Sequence, residues 1–179
     1  MKRTVIAVGL LAAATATVAE EKPSAQPSPA APSTPAIVTL SVTTRTTGGQ
    51  YAPKHVLAAW VTTPDGRFVK TLAVYGGKFR KLLSEWNARS KADVVDAVTG
   101  ATRLKHAPLT FTWDGRDSAG KSVPDGDYLI RLEFTENNRS GPVTPPTHIR
   151  VTKGPGAAAF NPTDLDNFTA ISVTYPQGQ

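Results

Sequence analysis

Alternation of apolar and polar residues dominates the chain after residue 36 and predicts β-strands. Val38, Leu40 and Val42 alternate with Thr and Ser, which is the two-residue period of a half-buried strand over 37–44. Six further segments have the composition and length of strands: 55–62, 67–75, 109–113, 128–135, 148–152 and 168–175. The sequence therefore predicts about seven short strands.

The segment 55–62 differs from the other predicted strands because both of its faces are apolar. One face carries Val56, Ala58 and Trp60, and the other carries Leu57, Ala59 and Val61. This pattern predicts a central strand that is covered on each side. The Pro-Asp-Gly run at 64–66 is a turn signal, so this strand and the next are predicted to form a hairpin.

One segment has a helical period instead. Phe79, Leu82, Leu83 and Trp86 follow the spacing of one helix face, which predicts a short amphipathic helix that ends near Ser90. The polar face of this helix carries Arg80, Lys81, Glu85 and Arg89. Three cations, Lys78, Arg80 and Lys81, lie near its predicted start, where positive charge opposes the helix macrodipole.

The strands and the single helix predict an all-β domain over 37–179, an immunoglobulin-like β-sandwich of about seven strands. A basic start, an apolar run and small residues at 17–19 predict a signal peptide over 1–19. The Pro-, Ala- and Ser-rich residues 20–36 predict a disordered linker. The mature protein is therefore expected in the periplasm, exported by its signal peptide and soluble.

Composition excludes several classes of function. The chain has no Cys, so disulfides and thiolate chemistry are excluded. Loss of Lys2 and Arg3 with the signal peptide leaves 18 of the 20 basic residues against 14 acidic ones, a scattered charge that argues against a nucleic-acid partner. No later apolar run is long enough to cross a membrane, so the protein is not expected to be membrane-embedded. The three histidines, His55, His106 and His148, are far apart and predict no metal site.

Residues 96–102 form the most specific motif in the chain, Asp-Ala-Val-Thr-Gly-Ala-Thr, and Arg103 follows it. The motif resembles the acceptor signature of proteins flavinylated outside the cytoplasm, in which a transferase joins FMN through its phosphate to the last Thr or Ser. The resemblance implies a covalent phosphoester between FMN and Thr102. The other residues implied at the cofactor site are Asp96, Thr99, Gly100, Ala101 and Arg103.

Each of these residues has a physical reason to be there. Gly100 and Ala101 leave little bulk, so the backbone can approach a diphosphate closely. Asp96 is expected to accept backbone N–H bonds, and Thr99 is expected to bond locally and hold the turn. Arg103 is expected to partner the phosphate. The motif is predicted to lie in a connection, with a small-residue turn entering the next strand as the alternative to a flavin site.

A second motif begins at Trp113-Asp114-Gly115-Arg116-Asp117 and ends at Gly126-Asp127-Tyr128. It resembles the immunoglobulin-like module of flagellar hook-capping proteins, in which Trp and Tyr anchor a tight loop between two strands. The aspartates could suggest a calcium loop, but their spacing departs from the EF-hand pattern. Hydrogen bonds that stabilise turns are the better explanation for them.

The wider order of motifs over about 37–175 resembles a periplasmic family of unknown function, similar in motif to FMN-transferase substrates. The resemblance implies an electron-transfer carrier rather than a stand-alone enzyme, with an FMN transferase and a membrane reductase as partners. The chain departs from the family pattern at Tyr75, where Trp is common, and in its single helical Trp, Trp86. Those changes would affect an aromatic wall near the flavin. The alternative function is a cofactor-free binding or assembly module.

Overall fold

The computed structural model describes residues 38–137 and 145–176. The predicted signal peptide and linker, residues 1–36, lie outside the described residues. The described part of the chain is mostly β, as predicted, with one short α-helix and one 3₁₀ helix.

The strands are β1 (Val38–Thr44), β2 (Val56–Thr62), β3 (Phe68–Tyr75), β4 (Val98–Gly100), β5 (Pro108–Trp113), β6 (Gly126–Thr135), β7 (Thr147–Lys153) and β8 (Phe168–Thr174). The 3₁₀ helix spans Gly77–Leu82 and α1 spans Ser84–Ser90. Seven of these strands match the predicted ones. The eighth, β4, lies in the stretch that was predicted to be a connection.

The strands form two sheets that share a core. One sheet has the order β5-β1-β8, and the other has the order β4-β3-β2-β6-β7. Neighbouring strands are antiparallel except for β3 and β4, which are parallel. Buried side chains from both sheets belong to one apolar cluster, so the arrangement is sandwich-like.

β1 shows the predicted alternation directly. Val38, Leu40 and Val42 are buried, and the residues between them are partly exposed. Leu40 lies opposite Phe111 of β5 and opposite Val173 of β8, so the apolar face of all three strands points the same way. Burial of that face against the five-stranded sheet is what holds the two layers together.

β2 is buried along its whole length, which confirms the prediction of a central strand. It lies between β3 and β6 in the larger sheet. Its two faces belong to different clusters: Leu57, Ala59 and Val61 join the sandwich core. Val56, Ala58 and Trp60 join a second, smaller cluster with Leu83 and Trp86 from the helical segment. The helical segment therefore covers the outer face of the five-stranded sheet.

The predicted helix is broken at Leu83, whose backbone angles (φ −82°, ψ 81°) are not helical. The break divides it into the 3₁₀ helix and α1, and the second part ends at Ser90 as predicted. It also changes the position of the cations, since Arg80 and Lys81 now occupy the last turn of the 3₁₀ helix. A positive charge at that end is favourable, so only Lys78 retains the unfavourable placement.

A side chain from a distant strand explains the break. Glu133 of β6 accepts hydrogen bonds from the backbone N–H groups of Trp86 (2.8 Å) and Glu85 (3.1 Å) and from the hydroxyl of Ser84 (3.4 Å). These bonds satisfy the free donors at the first turn of α1. Burial raises the pKa of the Glu133 carboxyl, although the bonds from α1 oppose that shift. Residues 84–90 thus form a separate helix, whose first turn is capped by the Glu133 carboxylate.

The β5–β6 turn, residues 114–125, is anchored by two aromatic residues. Trp113 donates from its ring nitrogen to the carbonyl of Arg116 (2.9 Å), and the Tyr128 hydroxyl donates to the carbonyl of Pro124 (2.7 Å). The two rings meet edge to face with centroids 4.7 Å apart. The turn is therefore tied to the core at both of its ends, as its sequence predicted.

Aspartates stabilise the β5–β6 turn from within. The Asp114 carboxylate accepts the backbone N–H of Arg116, and the Asp117 carboxylate accepts those of Ala119 and Lys121 at 2.9–3.1 Å. These are the hydrogen bonds expected of Asp in turns. Among the described residues no group of three or more metal-binding side chains occurs. The turn-forming explanation of these aspartates is the one the contacts support.

Candidate functional site

The acceptor segment, residues 95–104, lies at an edge of the five-stranded sheet. Its β4 residues pair with the end of β3, with Val98 opposite Ala73 and Gly100 opposite Tyr75. The Gly100 carbonyl also accepts the backbone N–H of Gly76 at 3.0 Å. The motif is thus part strand and part connection. Its other edge has no strand beside it in the described residues.

Gly100 is required by the ring of Tyr75. A Cβ atom at position 100 would lie 2.7 Å from Cδ1 of Tyr75 and 3.1 Å from Cε1, closer than side chains approach one another. The Arg103 guanidinium lies 5.1 Å from the centroid of the same ring, within the range of a cation–π contact. Tyr75 therefore contacts both the glycine and the arginine of the motif.

Thr102 is half-buried, and its neighbour fixes its backbone. Arg103 exchanges two backbone hydrogen bonds with His55, at 2.9 and 3.0 Å. The Thr102 hydroxyl donates to the Gly76 carbonyl at 3.4 Å, which is near the limit of a hydrogen bond and therefore weak. The hydroxyl is held in place by its backbone, and little hydrogen bonding is lost if its oxygen forms a new bond.

Asp96 has a different partner from the one expected. Its exposed carboxylate lies 3.9 Å from Nζ of Lys70, and it is this ion pair, not a backbone N–H group, that engages it in the described part of the chain. The Lys70 ammonium is largely buried and lies 3.6 Å from the Asp114 carboxylate as well. One cation thus connects the start of the motif to the β5–β6 turn. Asp96 itself has a positive φ of 54°.

A cleft of about 780 Å³ opens beside the motif, between β4 and the 3₁₀ helix. Its lining residues are Val74, Gly77, Lys78, Arg80, Lys81, Asn87, Thr99, Gly100 and Ala101. The lining includes three cations and no carboxylate. Thr99, which was expected to hold a turn, is instead an exposed β4 residue on the wall of this cleft.

Exposed apolar side chains concentrate along the acceptor segment. Within residues 38–137 and 145–176, four large apolar side chains are exposed, and three of them belong to this segment: Val95 (53%), Val98 (58%) and Leu104 (69%). The fourth, Phe160, pairs with β8 in the other sheet. Exposed apolar groups that gather in one place mark contact sites more often than scattered ones do.

Trp86 belongs to the core and not to the cleft. It is fully buried, and its ring nitrogen donates to the hydroxyl of Thr71 at 3.0 Å. Tyr75 and Trp86 were the two candidates for an aromatic wall, and of these only the half-buried Tyr75 contacts the motif. Tyr75 is therefore the one of these two rings that the structure places beside the motif.

Two of the three histidines meet behind the motif, which the sequence did not predict. The rings of His55 and His106 stack with centroids 4.8 Å apart and planes within 1°. His106 also contacts the buried carboxylate of Glu136 through Nε2, at 2.9 Å. Hydrogen bonds to Glu136 hold its pKa below the usual range in spite of its burial. No sequence signal could have found this pair, because it forms through the bridge between His55 and Arg103, and His106 follows Arg103 by three residues.

The surroundings of His55 favour the neutral form of its ring. Its Nδ1 donates to the carbonyl of Pro53 at 3.0 Å, so Nε2 is the nitrogen without a proton, and that atom is buried with no partner in the described residues. Burial lowers the pKa of His55, and the nearby His106 and Arg103 lower it further. His148 lies apart, on β7 opposite Arg131.

The family model described as "Predicted periplasmic protein (DUF2271)" matches residues 38–156, which is more than half of the 179 residues. The match begins with β1, includes the acceptor segment and the β5–β6 turn, and ends after β7. Neither the curated proteins nor the solved structures contain a match to the chain. No helix in the described ranges 38–137 and 145–176 is long and apolar enough to span a membrane.

Proposed function

The chain belongs to the DUF2271 family of predicted periplasmic proteins, and we propose that it is exported and carries FMN covalently on Thr102 as an electron-transfer protein. The observation that carries the proposal is the weakly bonded Thr102 hydroxyl at a sheet edge, next in sequence to Ala101, which lines a cleft with three cations. The bound flavin would supply the redox chemistry, while the protein supplies position and charge. This makes the chain a carrier more than a stand-alone enzyme.

The attachment is a transfer of FMN from FAD. The Thr102 oxygen attacks the FMN phosphorus of the FAD diphosphate, the new O–P bond forms, and the bond to the AMP phosphate breaks. AMP leaves, and the hydroxyl proton passes to a base of the transferase. Gly100 and Ala101 would keep bulk away from the diphosphate, and the Arg103 guanidinium, which lies over the Tyr75 ring, would partner the new phosphodiester.

The edge position of the acceptor segment suits recognition by a transferase. Val95, Val98 and Leu104 expose apolar surface on either side of Thr102. The open side of β4 offers backbone groups that a second protein can pair with. A modifying enzyme has to bind the chain on both sides of the reacting hydroxyl. The exposed apolar side chains and the edge of β4 would provide that binding surface.

As an electron carrier, the protein would receive electrons from a membrane reductase and pass them to an acceptor outside the cytoplasm. The open cleft supports this role, because a flavin in it would remain accessible to partners. The same exposed apolar surface also favours the alternative, a cofactor-free binding or assembly module. The two functions differ in whether Thr102 is modified.

The proposal also assigns the sandwich to the immunoglobulin type. Tyr128 supports it: the residue lies near the start of β6, and its hydroxyl bonds to a carbonyl four residues upstream, as in a tyrosine corner. The fully buried Trp113 at the end of β5 is also in keeping with that fold. An experimental structure that superposes on an immunoglobulin domain with the same strand order supports the assignment, and a different order contradicts it.

Co-expression tests the flavin proposal. The full chain is exported together with an FMN transferase, and intact mass and in-gel flavin fluorescence are recorded for wild type, Thr102→Ala and Thr110→Ala. We expect a gain of FMN less one water in the wild type and in Thr110→Ala, and none in Thr102→Ala. Thr110 is the matched control, since it is an exposed threonine of β5 that lies outside the motif. An unmodified wild type, or an adduct that survives Thr102→Ala, contradicts the proposal.

A further inference from the structure

We infer that the cleft between β4 and the 3₁₀ helix seats the flavin ring, and that Lys78, Arg80 and Lys81 there favour its reduced form. The inference rests on the attachment of FMN to Thr102 proposed above and adds the location of the ring and the residues that set its reduction potential. The three cations belong to the 3₁₀ helix and lie outside the acceptor motif.

Both neighbours of the Thr102 hydroxyl, in sequence and in hydrogen bonding, lead to residues that line this cleft. It donates to the carbonyl of Gly76, and the next residue along that strand end, Gly77, lines the cleft. On the other side, the residue before Thr102 is Ala101, which also lines it. A group bonded to the Thr102 oxygen therefore starts between two residues of the cleft wall. The cleft is thus the cavity adjacent to the attachment point.

The cleft has the size and the walls for a flat aromatic ring. Its volume of about 780 Å³ falls in the range of about 300–1,000 Å³ that pockets for small ligands and cofactors occupy. Val74 and Gly100 form a small, apolar part of the lining. Asn87 holds the opposite rim in shape, because its amide nitrogen donates to the carbonyls of Arg80 (3.0 Å) and Leu83 (2.6 Å).

The charge of the cleft is not compensated. None of Lys78, Arg80 and Lys81 forms an ion pair within residues 38–137 and 145–176; Lys78 instead lies over the ring of Phe79, 5.3 Å from its centroid. The acidic residue of α1, Glu85, pairs with Arg89 at 3.6 Å. Three positive charges thus act on whatever occupies the cleft, and a field of this kind favours an anion.

The reduced ring is that anion. A flavin that gains two electrons and one proton has one negative charge more than the oxidised ring. Cations beside it therefore stabilise the reduced form more than the oxidised form, and they raise the reduction potential. Electrons from the donor reductase would then be held on the carrier more readily than on free FMN.

The test compares two pairs of charges on the exported, FMN-loaded chain. Arg80→Gln/Lys81→Gln removes one Arg and one Lys from the cleft. Arg67→Gln/Lys121→Gln removes the same two charges from exposed positions near the start of β3, and the cleft lies at its end. Circular dichroism checks that each variant folds. The reduction potential is measured by spectroelectrochemistry at low and high salt, and acrylamide quenching reports how well the ring is shielded.

We expect the cleft variant to have a lower potential, by about a tenfold change in the ratio of reduced to oxidised flavin, or about 30 mV for two electrons. Its potential should also depend less on salt, because fewer charges remain to be screened. The control pair should match wild type, and the ring of wild type should be quenched less than free FMN.

Equal potentials in the two pairs, or quenching as fast as that of free FMN, overturn this inference and leave the attachment to Thr102 standing. A chain that acquires no adduct at all overturns the attachment and this inference together. Intact mass, measured first on every sample, separates these two results.

Discussion

The β5–β6 turn and the acceptor segment are both irregular connections with a recognisable motif, yet they are built in opposite ways. The turn is bonded to itself and to two core aromatics, Trp113 and Tyr128. The acceptor segment pairs with β3 along one side, has no strand on its other side within the described residues, and exposes three large apolar side chains. A motif whose residues bond to one another is explained by the fold, whereas exposed apolar groups gathered in one motif mark a candidate contact site.

The largest effect is expected from Trp113→Ala, because this ring is fully buried and bonded to the turn. Its removal should lower the free energy of unfolding by about 3–5 kcal/mol. Urea unfolding followed by tryptophan fluorescence measures the change. Tyr128→Phe, which keeps the ring and loses one hydrogen bond, should lower it by only about 1 kcal/mol. If both variants lose the same amount, the turn is not anchored as described.

A smaller effect is expected from Gly100→Ala in the acceptor segment. The new methyl would meet the Tyr75 ring at 2.7 Å, so either β4 or the ring has to move. We expect unfolding to be easier by about 1–3 kcal/mol. Ala101→Ser, one residue on, should change it by less than about 0.5 kcal/mol. Combining Gly100→Ala with Tyr75→Leu should recover part of the loss, and strict additivity would rule out the clash.

Acid should weaken the region behind the acceptor segment. Burial lowers the pKa of His55, so between that pKa and the usual 6.5 the unfolded chain binds more protons than the folded one. The free energy of unfolding therefore falls as the pH is lowered through 6.5. Glu136, whose pKa is also lowered, acts in the same direction at more acid pH. Glu133, with its raised pKa, acts in the opposite one.

Urea unfolding of wild type and His55→Gln at pH 7.5, 6.5 and 5.5 isolates this contribution. The effects of the two carboxyls are common to both proteins and cancel in the difference between them. We expect the loss on acidification to be smaller in the variant. A variant that loses as much as wild type would show that His55 titrates as it does in the unfolded chain.

The smallest effect on stability is expected from Val98→Ser, since this side chain is 58% exposed. The free energy of unfolding should change by less than about 0.5 kcal/mol. If the segment is recognised by a transferase, however, the yield of FMN adduct should fall. Phe160→Ser is the matched control, an exposed apolar residue on the other sheet, and its yield should equal that of wild type. Equal yields from both variants argue against recognition through Val98.

Most of the fold could be predicted because its strands contain their own signal. The apolar residues on both faces of β2 predicted a central strand, and the alternation in β1 predicted its buried face. β4 could not be predicted, since three residues contain no period and its pairing depends on the position of β3. The prediction of one continuous helix was wrong for a similar reason: the break at Leu83 depends on Glu133, which is 47 residues from Trp86 in the sequence.

The candidate site could be predicted only in part. The motif located Thr102 and Arg103, and the charge pattern drew attention to Lys78, Arg80 and Lys81. The sequence did not predict that Thr99, Gly100 and Ala101 of the motif line one cleft with these cations, because the pairing of β4 with β3 brings them together. It also gave Asp96 a role in backbone bonding, whereas the structure places its carboxylate next to Lys70.

β2 divides the molecule into two layers that can change separately. One face of β2 packs in the sandwich core, and the other face packs against the helical segment. The residues are Leu57, Ala59 and Val61 on the first face and Val56, Ala58 and Trp60 on the second. The two clusters share no buried residue. Substitutions in one cluster should therefore leave the other nearly unaffected. Substitutions in the helical segment can therefore change the charge of the cleft while the sandwich core keeps its packing.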